Sequence, residues 1–262
     1  MHTIVFSNRK GGVGKTTVAQ NVGWALAAIE GLRVLLIDFD SQANLTLYFG
    51  YKPTKGQSSN IERLLEDPEA PWEPLAITER LDLLTASVAL TGHDRASLWD
   101  LIGPLRTILT RATEKGYDLV LVDTMPAFGS LTGAALAVTD FVIPVHTLGS
   151  AGSDEGLERL KENVKPMKDT VNMKLQILGI IPTFAKRTRE SAISRNDLKA
   201  QQDEEGIRIF AEVPQDERVN VATRNGEAVL KRHANDPDRA PGAFLFIADE
   251  ICSALKLKKA KV

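Results

Sequence analysis

A single α/β domain, with a mostly parallel sheet doubly wound by helices on both faces, is the fold class this sequence predicts. Three observations carry it. Short β-branched or Leu-rich runs alternate with segments of helical period. The runs Arg33–Asp38 (RVLLID) and Asp118–Asp123 (DLVLVD) are apolar almost throughout and close on an acid, as strands buried on both faces do. The opening run, Thr3–Ser7, passes through a glycine-rich turn directly into a helical stretch, Lys15–Ile29.

The remaining elements follow from the same patterns. A short strand is expected over Leu81–Thr85, a helix over Leu98–Lys115 and another over Ala134–Val138. A strand Phe141–His146 precedes a polar helix Ser153–Lys165, then strands over Lys174–Pro182 and Ile207–Val213. A closing helix, Phe244–Leu257, carries Phe244, Phe246, Ile247 and Ile251 at spacings that read as core. Between Gly50 and Ala76, four prolines (Pro53, Pro68, Pro71 and Pro74) break any long element, leaving room for a short helix Asn60–Glu66. With no internal repeat and no low-complexity linker, residues 1–262 are expected to form one domain.

Composition narrows the function. The 262 residues hold 32 Lys+Arg against 34 Asp+Glu, a formal net charge of −2, so any nucleic-acid contact must come from a local patch. No apolar run approaches the ~18 residues of a membrane span, and the N-terminus lacks the pattern of a signal peptide. A single cysteine, Cys252, excludes an intramolecular disulfide and reads as a small core residue. A soluble, cytoplasmic protein is expected. The histidines, His2, His93, His146 and His233, show no metal-ligand spacing, although His146 ends a strand and so falls near any cleft there. Trp24 reads as core, and Trp72 as either a loop anchor or a contact for a partner.

The chemistry concentrates in Asn8–Thr17 (NRKGGVGKTT), between a strand and a helix. Glycines let a backbone curl until its N–H groups point inward and cradle phosphate oxygens, and the following helix N-terminus favours the same anions. Gly11, Gly12, Val13 and Gly14 supply the loop. Lys15 is spaced to reach β- and γ-phosphates, Thr16 to offer its hydroxyl to Mg²⁺, and Thr17 to extend the cradle. The usual phosphate-loop pattern would put a glycine at position 9, where Arg9 stands; the match is instead to K-G-G-x-G-K-[ST]-T, with a second lysine at Lys10.

By these residues the chain resembles the ParA/MinD group of deviant-Walker ATPases, and among them the short ParA proteins. Leu35–Asn44 (LLIDFDSQAN) looks like the family's D-x-D-x-Q segment, and Val120–Thr132 (VLVDTMPAFGSLT) like its Walker B, with Met125 where a first proline is usual. The resemblance implies ATP and Mg²⁺ as ligands and slow, partner-stimulated hydrolysis. It implies that Lys10 reaches across a homodimer to the partner's nucleotide, and that Asp40 orients the attacking water. Asp123, at a strand's C-terminal end beside the loop, can hold Mg²⁺ through water. Asp38 either assists the metal or holds local geometry. At the base end, Pro214 and Gln215 resemble the segment that packs on adenine, and Thr183 is a second candidate; all three are equally readable as turn residues. The stretch Gly149–Gly152 is expected to shape the dimer-facing edge.

The family divides by what the ATP-bound dimer holds. ParA-type members bind DNA without sequence preference and answer to a ParB-type adaptor. For that reading the cations are Lys186, Arg187, Arg189 and Arg195, with Arg218 at a position where relatives carry a basic residue; taken alone, such a run reads as a solvated helix face. MinD-type members bind membrane through a C-terminal amphipathic helix, and here Ile251–Val262 holds Lys256, Lys258, Lys259 and Lys261 but lacks the wide apolar face of an anchor. The expected protein is therefore nucleoid-associated, with a MinD-like membrane switch or a positioner of protein cargo as the alternatives. The chain begins almost at its first strand, so no N-terminal helix-turn-helix domain is expected.

Overall fold

The structure, a computed structural model, describes residues 1–126, 128–150, 153–234, 236 and 238–257, with 153 and 154 as backbone only. Lys258, Lys259 and Lys261 of the basic tail, and part of the Gly149–Gly152 stretch, lie outside the described residues.

The first half of the chain gives β1 (His2–Ser7), α1 (Lys15–Ala28), β2 (Val34–Phe39), α2 (Asn44–Tyr48) and α3 (Ile61–Glu66). It continues with β3 (Leu75–Ala76), β4 (Leu81–Leu84), a 3₁₀ turn over Val88–Arg95, α4 (Leu98–Glu114) and β5 (Leu119–Thr124). Next come α5 (Ser130–Val138), β6 (Phe141–Thr147), α6 (Ser153–Thr170), β7 (Gln176–Ile177) and β8 (Ile181–Ala185). The chain then forms α7 (Arg189–Glu205), β9 (Val213–Pro214), α8 (Glu217–Arg224), α9 (Leu230–His233) and α10 (Arg239–Leu255).

Nine strands form one sheet in the order β3–β4–β2–β5–β1–β6–β8–β9, with β7 also on β6, and every pairing is parallel except β3 with β4. Strand alternation sends successive side chains to two separate cores. Ile4, Phe6, Leu36, Leu121 and Val145 pack under α1 and α10. Val5, Leu35, Ile37, Val120 and Val142 pack under α3, α4 and α5. Both faces being covered explains why these strands read as unbroken apolar runs. From β1 the chain turns to β2 on one side, and from β5 it crosses to β6 on the other. A crevice therefore opens above the C-terminal ends of these central strands.

Four readings of the sequence are corrected. Lys174–Pro182 is two strands: β7 pairs with β6 at an offset of Phe141 to Gln176, but β8 at Val145 to Ile181, one residue further on. The extra residue lies around Gly179, where the backbone leaves β6 and Ile180 bonds to Arg208 and Phe210 instead. Ile207–Val213 correspondingly forms only an isolated bridge at Ile209 before β9. Phe246 faces solvent, because two residues beyond buried Phe244 a helix has turned to its other side. α10 starts earlier, at Arg239, its Pro241 falling in the first turn where no N–H is missed. The basic run that reads alone as a solvated helix face does fall at and in α7; only Ser191, Ser194 and Leu198 of it are buried, so it carries no apolar period.

Gly179 is fixed by contact, since a Cβ there would meet Phe210 at 2.6 Å and the Arg208 carbonyl at 2.9 Å. Gly179→Ala should therefore cost about 1–3 kcal/mol, read as a lowered urea midpoint at unchanged m-value.

Candidate functional site

β1 ends beneath the glycine loop. Buried Asn8 folds the chain back there, its amide donating to the Val145 carbonyl at 2.7 Å while its oxygen accepts the Lys10 N–H at 2.9 Å. Gly12 (φ 74°) and Gly14 (φ 89°) take the left-handed backbone that a side chain would strain. Gly14 occupies the cap position of α1, with no side-chain cap and no acid in the first turn. The first N–H groups of α1 are thus left for an anion. From across the sheet, the Thr183 hydroxyl donates to the Val13 carbonyl at 2.7 Å and bolts the loop to β8.

Three carboxylates and one ammonium lie below this loop. Asp38 and Asp123 are in register on β2 and β5, and both are fully buried. Burial pushes the Asp38 carboxyl up to about 7, although the Thr46 hydroxyl and N–H donate to it at 2.7 and 2.8 Å. Burial first, and Asp38 second, push Asp123 up to about 8 against the opposing pull of Thr16 and Lys15. Neither Asp123 oxygen has a hydrogen-bond partner of full geometry among the described residues. An orphaned buried carboxylate next to a threonine hydroxyl suits a hard cation taken partly through water. Lys15, 6% exposed, is pushed down by burial and pulled up by Asp123 and Asp40. Asp40 enters the cleft itself, and the Gln42 N–H donates to it at 2.9 Å.

The cleft holds about 400 Å³. Gly11 through Thr17 form its phosphate-sized end, and Thr183, Pro214 and Gln215 its other end, so these predicted residues do converge. Lys10 does not line it; its ammonium donates to the Ser150 hydroxyl at 2.7 Å on the segment after β6. Asp38 is committed to α2 through Thr46, which favours the local-geometry alternative for it.

Several cleft residues were not singled out as ligands in the sequence, although Gln42 and Asn44 fall in the D-x-D-x-Q segment. Gln42, Asn44 and Tyr48 form one wall from around α2, and Val219 and Asn220 the other from α8. Gln20 of α1 donates to the Tyr48 carbonyl at 2.6 Å, and Asn21 accepts the Val229 N–H at 2.7 Å, so α1 anchors both walls. Behind them two turns meet backbone to backbone, where a Cβ on Gly226 (φ 72°) would lie 2.7 Å from the Gly50 Cα. Phe184, 37% exposed, sits in the register shift between β8 and β9 with φ 51°, a strained conformation for a bulky residue. Its ring lies 3.6 Å from where a Gly14 Cβ would be, which turns an aromatic face into the base end of the cleft.

A family model described as an AAA domain, AAA_31, matches residues 1–177. The sporulation initiation inhibitor protein Soj of Bacillus subtilis is 31% identical over 95% of this chain and 98% of its own length. The chromosome-partitioning ATPase Soj of Thermus thermophilus is 33% identical over 97% of this chain and 96% of its own. The chain belongs to the ParA/MinD family of P-loop ATPases. Among solved structures, a plasmid partition protein of Borrelia burgdorferi B31 bound to AMPPNP superposes with a TM-score of 0.78 at 25% identity, covering 96% of this chain and 98% of that one.

The basic residues that the ParA resemblance singled out divide into two groups. Lys186, Arg187 and Arg189 are exposed at the start of α7 and form no ion pair among the described residues. Arg195 is tied to Glu212 at 2.7 Å. Arg218 is engaged internally, its guanidinium held by Asp216 at 2.8 Å, by Asp236 and by the Asp238 carbonyl at 3.0 Å. His146 is buried against Ser194 of α7 at 3.1 Å, and Trp72 is a partly buried loop anchor beneath Arg111.

Asp216 also caps α8 by accepting the Arg218 N–H at 3.1 Å. Burial alone would raise its carboxyl, but the hydrogen bonds from Arg218 and the Ala240 N–H outweigh it and hold the carboxyl below the usual aspartate range. Asp216→Asn should cost about 1–3 kcal/mol at pH 7. A depressed folded pKa gives stability above the unfolded value and loses it as pH falls through the folded one. The gap between wild type and variant in urea unfolding should thus shrink below about pH 4.

Proposed function

We propose that this chain is a ParA-type partition ATPase. It forms an ATP-dependent dimer that binds DNA without sequence preference and leaves it on adaptor-stimulated hydrolysis. The observation that carries the reading is the pair of lysines at the loop, Lys15 buried inside the cleft and Lys10 outside it on Ser150. On this reading Lys15 serves the chain's own nucleotide, and Lys10, placed outside the cleft, serves a partner's. The relatives described above, a chromosome-partitioning ATPase and a plasmid partition protein, support the same role.

Phosphoryl transfer asks mainly for positioning and charge neutralisation. The N–H groups of Gly11 to Thr17 hold the phosphate oxygens, and Lys15 balances the charge on the β- and γ-phosphates. Thr16 and Asp123 would hold Mg²⁺, which when bound would supply further positive charge beside the phosphates. Asp40, in the cleft on a strand-end turn, orients water for attack on the γ-phosphorus, and Asp38 keeps that turn in place through Thr46. Pro214, Gln215 and Phe184 bound the base, while Thr183 braces the loop. Lys186, Arg187 and Arg189, doubled in a dimer, form the DNA face, with Arg195 and Arg218 as supports for it. On this reading the protein works in the cytoplasm on the nucleoid.

Lys15→Ala should abolish ATP binding, measured by fluorescent-nucleotide titration; undiminished binding would refute the loop assignment. Asp40→Ala should bind ATP and stay dimeric on DNA, yet turn over at least about a hundredfold more slowly. Normal phosphate release from it would overturn the water-orienting role. Binding to random duplex with ATP, with ADP and without nucleotide, against anionic liposomes, tests the class. Six to ten phosphate contacts would weaken binding on the order of 10³-fold between low and moderate salt. A Lys186/Arg187/Arg189→Glu variant should dimerise but lose duplex binding; if it still binds, the DNA face lies elsewhere.

A further inference from the structure

A second concavity of about 390 Å³ shares Pro214 with the nucleotide cleft and is otherwise distinct from it. Its rim carries Lys186, Arg187, Arg195 and Arg239, against one acid, Glu212. Glu212 is taken by Arg195 at 2.7 Å and Arg239 is held by Asp216 from outside the groove, so Lys186 and Arg187 remain to be balanced. The Arg239 side chain is 64% exposed, 3.9 Å from Asp216, with its guanidinium on the Gln215 carbonyl at 3.2 Å. From α10, Phe246 stands at the same rim, 63% exposed, over a floor of alanine, glycine and proline.

A phenylalanine 63% exposed at the rim of a cationic groove contributes little to the core. It gains little from burial and costs solubility, so its position asks for a ligand that is anionic and has a flat apolar face. Cations that track a backbone, with an aromatic ring for a base to stack on, are the two parts by which proteins hold single-stranded nucleic acid. An intact duplex keeps its bases stacked inside and cannot offer one to an exposed ring. A peptide would bring amide donors, for which the groove's only carboxylate is already engaged by Arg195. The guanidinium of Arg187 or Arg239 also matches a phosphate in fork geometry.

We propose that this groove binds a single-stranded polynucleotide, with phosphates on Lys186, Arg187 and Arg239 and one base stacked on Phe246. The site shares Lys186 and Arg187 with the duplex-binding face suggested above and to that extent rests on the same reading, but Phe246 and Arg239 belong to it alone. Phe246 is exposed, so its replacement leaves the fold intact, which an unchanged melting temperature would verify.

The test is anisotropy of labelled oligo-dT of about 20 nucleotides, and of a duplex of equal length, on the full chain with and without ATP. Phe246→Ala should weaken oligo-dT binding about tenfold and leave duplex binding almost unmoved, while Phe246→Trp should retain both. The proposal is overturned if oligo-dT does not bind the wild type, if Phe246→Ala leaves its affinity unchanged, or if both DNA forms weaken equally. Displacement of oligo-dT by poly-glutamate at matched charge would assign the groove to an acidic peptide and overturn it too. Absence of duplex binding already in the wild type, alongside an intact Phe246 effect on oligo-dT, would remove the partition reading and leave this one standing.

Discussion

Asp38 and Asp123 stand opposite each other on adjacent strands, both out of reach of solvent, and the rest of the site is arranged around the repulsion between them. Taken out of water, two such carboxylates cannot both stay ionised without compensation. The chain compensates one of them from within, through Thr46, and leaves the other, among the described residues, with only the Thr16 hydroxyl and Lys15 to oppose its burial. Lys15 is drawn down over the pair, and Asp40 adds a third negative charge at the surface of the same pit. A polyphosphate alone would deepen that imbalance; a polyphosphate accompanied by a divalent cation resolves it. The loop above is correspondingly made of N–H groups and one ammonium, with no competing acid in the first turn of α1.

That geometry depends on the sheet being held rigid from both sides. The strands that end beneath the loop are the central ones, each packed above and below by aliphatic side chains. The loop itself is tied at two points away from its glycines, at Asn8 to β6 and at Thr183 to β8. An anion-binding loop of this kind is thus preorganised by neighbours that never touch the anion.

The central strands, α1 and the whole phosphate loop were legible in the sequence because each is dictated by short-range pattern: apolar continuity, glycine spacing, helix entry. What escaped was set by long-range contact. The break at Gly179 exists because a strand changes partner, which no local composition records. The polar helix α7 is covered on so narrow a strip that only its charge run, and not its periodicity, marks it. Arg218 looked like a surface cation and is the hub of an internal ion network, since Asp216, Asp236 and the carbonyl of Asp238 come together only after folding. Phe184 is ordinary in sequence and strained in space, and its exposure to the cleft follows from a register shift. Phe246 matched the spacing of core residues and pointed the other way.

The meeting of Gly50 and Gly226 bears on how the cleft can vary. The wall around α2 and the wall around α8 are joined behind by main chain against main chain, with no side chain between them to lengthen or trim. The width of the opening is consequently a fixed dimension of the backbone. Substitutions lining it can retune which base fits or how tightly, yet they cannot make the mouth wider. Any insertion into either turn must bulge outward, away from the nucleotide, so variation in loop length around these turns is steered to the outer surface.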